Sequence, residues 1–291
     1  MPAPALKAFL AAPGPALASG PIALVFAEDE VELASTLRHH LASGFRSILL
    51  FAPDAFGLPP DLAEDPALHR ISHDLASGDS LTEAVNAVID SAPGLWMYYC
   101  YNAEYLFHPF RETRSVGELL RFHAEERRDA MLTYVIDLYA PDLARHPDAV
   151  SLRQAHLDRS GYYALARPDP GKAGHPKERQ LDFYGGLRWR FEEHIPADRR
   201  RIDRIALFRA KPGLRLQENH TFSDEEYNTY ACPWHNNLTA VIASFRTAKA
   251  LKRNPGSTFD IDSFQWQNST PFEWHSQQLL ELGLMEPGQW F

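Results

Sequence analysis

The chain has 291 residues, a formal net charge of −9 and 45% apolar content, which is ample for one large domain or two small ones. The acidic balance, with a pI near 5.8, excludes the broad basic surface by which a nucleic-acid partner is recognised. Its two cysteines, Cys100 and Cys232, do not make a disulfide framework in a chain this size, and no apolar run reaches the ~18 residues of a transmembrane helix, so a cytoplasmic protein, or one peripheral to a membrane, is expected.

Residues 1–20 are rich in Ala, Pro and Gly and read as a loose arm, with prolines and Lys7 interrupting anything like a signal peptide. Ile22-Ala23-Leu24-Val25-Phe26 is a continuous apolar run, the pattern of a strand buried on both faces. Ala27-Glu28-Asp29-Glu30 opens a helix with Val31, Leu33, Leu37 and Leu41 on its apolar face, closed by Gly44. Ser47 to Phe51 repeats the buried-strand pattern and ends at Pro53-Asp54. His69 to His73 reads as a short third strand. Ser80 caps a helix that carries Glu83 at the capping-box position.

Leu95 to Leu106 is the most aromatic stretch of the chain and reads as a fourth strand with a polar step at Asn102, Ala103 and Glu104. This alternation of strand and helix predicts a mostly parallel sheet flanked by helices, an α/β class whose ligands sit beyond the carboxyl ends of the strands. No Gly-x-Gly-x-x-Gly and no Gly-x-x-x-x-Gly-Lys-Ser/Thr follows a strand, which argues against classical dinucleotide and P-loop sites. A nucleotidyl-transfer enzyme would want a basic Gly-rich loop after the first strand, and Phe26-Ala27-Glu28-Asp29 is not one.

Farther on, Val116–Glu126 and Arg127–Leu138 both show helical spacing, residues 141–180 read as irregular, and Gln180 to Phe191 pairs Gly185-Gly186 with Arg188 and Arg190. The paired glycine permits close backbone approach to a ligand. Ile205–Arg209 and Gln217–Phe222 are strand candidates, and Leu238–Leu251 a helix. The tail, with Phe264, Trp266, Phe272 and Trp274, is expected to fold back on the body. His39, His40, His69 and His73 are expected at the surface.

The order of these pieces resembles the family-2 type of glycosyltransferase with the GT-A fold, in the branch whose fourth-strand motif reads Asp-Ala-Asp-Glu-Tyr/Phe-Leu. The resemblance rests on Phe26 to Phe51, on Cys100 to Leu106, on Tyr184-Gly185-Gly186-Leu187-Arg188-Trp189-Arg190-Phe191, and on Ile205 to Pro212 followed by Asn219-His220 and Trp234-His235. It covers about residues 21–250. It implies a GT-A-like domain over 21–255 with a helical C-terminal extension over 256–291. It also implies a nucleotide-sugar donor at the carboxyl edge of the sheet, Mn²⁺ or Mg²⁺ on the Asp-x-Asp carboxylates, and transfer to an acceptor hydroxyl of a saccharide, lipid or protein. The chain departs from the motif where the metal should sit: Tyr101 and Ala103 stand in place of the two aspartates.

The resemblance assigns donor contacts to Asp29, Glu30, Asp54, Asn102, Arg188 and Arg190. It puts a base or metal ligand at Glu104, a second metal ligand at His235 and an acceptor-side group at His220. The charge run Glu125-Glu126-Arg127-Arg128-Asp129 offers a general base among its acids, with Glu126 and Asp129 the candidates, and phosphate contacts at Arg127 and Arg128. Each also has a plain structural reading as a cap, a strand-end carboxylate or a solvated ion pair. The alternative to a transferase is a catalytically silent relative that binds a sugar, a nucleotide or a protein.

Overall fold

The computed structural model describes residues 3–231 and 237–290. The strands in chain order are β1 (Ile22–Phe26), β2 (Ser47–Ala52), β3 (Leu68–Ser72), β4 (Trp96–Tyr101), β5 (Glu104–Phe107), β6 (Ala130–Tyr139), β7 (His156–Asp158), β8 (Tyr163–Pro168), β9 (Pro176–Tyr184), β10 (Asp203–Arg209), β11 (Ala240–Ser244) and β12 (Ser269–Pro271). The helices are α1 (Leu6–Ala11), α2 (Leu33–Ala42), α3 (Pro60–Ala63), α4 (Leu81–Ser91), α5 (Val116–Glu125), α6 (Gly186–Arg190), α7 (Arg246–Arg253) and α8 (Ser276–Glu281). The described residues fall into two compact units. One comprises Met1–Tyr105, Thr113–Met131 and Ile205–Asn228, the other Leu106–Glu112, Leu132–Arg204 and Thr229–Phe291.

In the first unit the strand order is β3-β2-β1-β4, all parallel, with β10 antiparallel on the outer side of β4. The apolar runs of β1 and β2 are buried at every position, as strands covered on both faces require. Because side chains alternate across a strand, β4 sends Tyr98 and Cys100 to one face and Tyr99 to the other. His40 of α2 stacks on Tyr98 and approaches Cys100 on the first face, so His40 is a core residue and not a surface one. The segment around His220 covers Tyr99 on the other, where Asn86 of α4 exchanges hydrogen bonds with the backbone of Leu216. Helices on both faces of a parallel sheet are the α/β arrangement that the alternation of elements predicts.

Several local expectations are corrected. Residues 3–20 are not a loose arm: they form α1 and a short 3-10 turn, and Ala5 bridges Ser72 on the edge of β3. Asp29 and Glu30 precede α2 instead of lying in its first turn, and Glu32 starts the helix in a left-handed conformation. The fourth strand is broken at Asn102-Ala103, where Ala103 has φ +58. Gln217–Phe222 is a tight turn closed by a bridge between Leu216 and Phe222. In contrast, α4 starts as read, with the Ser80 hydroxyl accepting from Glu83 N–H. In α5 the Ser115 and Glu118 side chains complete a full capping box.

In the second unit β6 runs parallel to β11 and antiparallel to β7, and β12 pairs antiparallel with β7. β8 and β9 form a separate two-stranded hairpin. Here the helical readings of Arg127–Leu138 and Leu238–Leu251 are overturned. Both stretches hold a β-rich run, Thr133-Tyr134-Val135-Ile136 and Ala240-Val241-Ile242-Ala243, and the two runs pair with each other. Tertiary pairing outweighs a weak helical period. The helix that does form, α7, begins only at Arg246. The region 141–180 is not irregular, since it supplies β7, β8 and most of β9. The C-terminal segment is not mainly helical either: its one α-helix among the described residues is the six-residue α8, and Phe264 packs with Tyr139, Leu187, Ala248, Leu251 and Ile261. Among the described residues no helix is long and apolar enough to cross a membrane.

Candidate functional site

The polar residues that follow β1 and β4 meet at the carboxyl edge of the first unit, and Asn102 ties them together. Its side-chain oxygen accepts the Glu28 N–H at 2.9 Å. Its amide donates to Asp29 Oδ1 at 2.7 Å and to the Val31 carbonyl at 2.9 Å. Asp29 Oδ1 also accepts the Val31 N–H at 2.9 Å. An amide side chain offers two N–H bonds and one carbonyl, and here the acceptor and the donors all go to the loop after β1. Asn102 is fully buried. It holds that loop to the strand end, a clamp where the resemblance implies a donor contact.

The next residues close inward as well. Ala103 N–H donates to Thr36 Oγ1 at 2.8 Å, and Glu104 Oε2 accepts the Tyr101 N–H at 2.9 Å. Ala103 and Glu104 have no solvent exposure. The turn is therefore a structural knot, satisfied by its own backbone and by α2. A divalent cation needs oxygen ligands facing an open position. Glu104 is bound to its own turn and Asn102 to the β1 loop, so these two residues do not fit that requirement. Among the described residues no group of three or more His, Cys, Asp or Glu side chains converges to hold a metal. His235, the other implied ligand, lies outside the described residues.

The remaining predicted residues of this unit are dispersed. Asp54 is exposed after β2, and Glu30 Oε1 accepts the Gly57 N–H at 2.8 Å, so both stand at the carboxyl edge with Asp29. Asp129 is on the opposite edge: its carbonyl accepts the Arg209 N–H, and Arg209 pairs with Trp96 at the amino end of β4. Its carboxylate lies 3.6 Å from Arg209, and Glu126 is only three residues before it. The structure does not bring these two acids to the donor-side residues. His220 stacks on Tyr99 and its Nδ1 lies 3.1 Å from the Tyr99 hydroxyl, which is a packing role on the sheet face.

One group at this edge was not anticipated. His73, just after β3, is buried, and its ring stands edge-on to Phe26 and Phe51, the last and next-to-last residues of β1 and β2. Burial pushes its pKa down, while Asp79 and Asp74 pull it up. Among the described residues its Nε2 has no hydrogen-bond partner. His73 is thus not the surface residue expected, and its place as the last residue of the predicted third strand is the signal that could have drawn attention to it.

In the second unit, Arg188 and Arg190 are committed internally. Arg190 donates to both oxygens of Asp158 at 3.1 and 3.2 Å and to the Phe264 carbonyl at 2.8 Å, with its guanidinium over the Trp266 ring. Asp158 also accepts from the Tyr139 hydroxyl at 2.6 Å and the Trp266 indole N–H at 2.7 Å. Arg188 donates to the Arg201 carbonyl and to Thr247, and its Nε lies 3.8 Å from Asp137. Asp137 is 1% exposed, and the Thr247 hydroxyl and the Arg188 N–H face its carboxylate without closing to full hydrogen-bond geometry. Burial raises its pKa, and the Arg188 guanidinium, the Thr247 hydroxyl and the Arg188 N–H oppose this only in part.

The paired glycines serve this packing. A Cβ on Gly185 would stand 2.2 Å from the Tyr162 ring, and one on Gly186 would stand 3.0 Å from Asp137 Oδ2. Gly185 has φ +153 and Gly186 φ +61. The close approach expected at these glycines is thus made to Tyr162 and Asp137. Asp137 was missed because it lies inside an apolar run, where an acid carries no spacing signal, and Asp158 because its polar surroundings, His156-Leu157-Asp158-Arg159, read as irregular.

Compared with known proteins, the chain matches no protein-family model, and no curated protein matches it significantly.

Proposed function

We propose that the chain is a glycosyltransferase-like protein of the GT-A type. In this reading a nucleotide-sugar donor binds at the carboxyl edge of β1, β2 and β4, and the sugar passes to an acceptor hydroxyl without reliance on a metal at the fourth-strand step. The observation that carries the reading is the order β3-β2-β1-β4, with Asp29, Glu30 and Asp54 following β1 and β2. Open α/β sheets take nucleotides where such an order turns back, between β1 and β4. The diphosphate leaving group still needs stabilisation, and fixed N–H groups or cations would have to supply it. A second reading is favoured by the commitment of Asn102, Glu104 and Arg190 to the fold: a silent relative that binds a sugar, nucleotide or protein.

Calorimetry with a panel of nucleotide sugars, with and without Mn²⁺, separates these readings when followed by a donor-turnover assay. The first reading expects binding heats unchanged by Mn²⁺ and measurable turnover. Binding without turnover selects the second. No heat with any donor overturns nucleotide-sugar binding in both.

A further inference from the structure

We draw no further inference here: the strongest candidate, the exposed surface patch of Tyr163 and Leu165 on β8 with Trp189 on α6, carries nothing because nothing in the structure shows what covers it.

Discussion

The two units solve the burial of polar groups in opposite ways. At the end of β4, Asn102 is uncharged and its amide and carbonyl are all engaged in hydrogen bonds. In the second unit, Asp137 is as deeply buried, yet the Thr247 hydroxyl and the Arg188 N–H reach it only loosely, and the Arg188 guanidinium is 3.8 Å away. A satisfied amide adds stability with little risk, whereas a buried carboxylate depends on how closely its few partners reach it. The two corners should therefore respond very differently to substitution.

The sharpest way to expose the difference is to remove the Arg188 guanidinium. Arg188→Ala leaves Asp137 buried without its cation, and about 3–5 kcal/mol of stability should be lost in chemical denaturation. Adding Asp137→Asn should return most of it. If Arg188→Ala is as benign as a surface change, the carboxylate is already neutral in the fold.

Acidity sharpens the contrast further. Burial lowers the pKa of His123 from 6.5 to about 4. The unfolded chain binds that proton near pH 6.5 and the folded one only near 4, so the contribution is complete above about 6.5 and is lost as pH falls through this window. The loss should be on the order of 3 kcal/mol, at 1.36 per pKa unit. Asp137 has the opposite sign: its raised pKa makes ionisation costly, so its penalty grows as pH rises through the carboxylate range. Denaturation midpoints between pH 4 and 7, for wild type, His123→Asn and Asp137→Asn, should show a flatter acid limb only in the histidine variant.

Asn102→Ala removes three hydrogen bonds and leaves the β1 loop unclamped, which should cost about 2–3 kcal/mol. Proteolysis of residues 27–32 should quicken with it. The smallest effect belongs to Ser115→Ala, which deletes half of a capping box and should cost about 1 kcal/mol, read from the melting temperature.

The first unit was largely legible. Uninterrupted apolar runs such as Ile22–Phe26 have little alternative to a buried strand, and Ser80 and Glu83 marked the start of α4. The Ser115–Glu118 box has the same spacing as that pair and went unread. β6 and β11 were not, because each is a strand only by virtue of the other. β8 and β9 were hidden for a related reason: their anchors, Asp182 and Asp203, meet Arg167 and Arg201 across separations that no local pattern encodes. Of the candidate site, the grouping of Asp29 with Asn102 was readable. Its character was not, since spacing alone does not distinguish an amide that awaits a ligand from one that locks a loop.

Ala103 bears on how this protein would respond to engineering. A designer wishing to install a metal centre would begin by writing aspartates at 101 and 103. Position 103 has no solvent exposure, its N–H is held by Thr36, and its backbone sits at φ +58. A carboxylate introduced there would enter the interior with its charge, and the turn would have to be rebuilt before any ion could reach it. A new activity would be easier to graft onto the exposed loop after β2, around Asp54, than onto the strand end that most resembles a metal site.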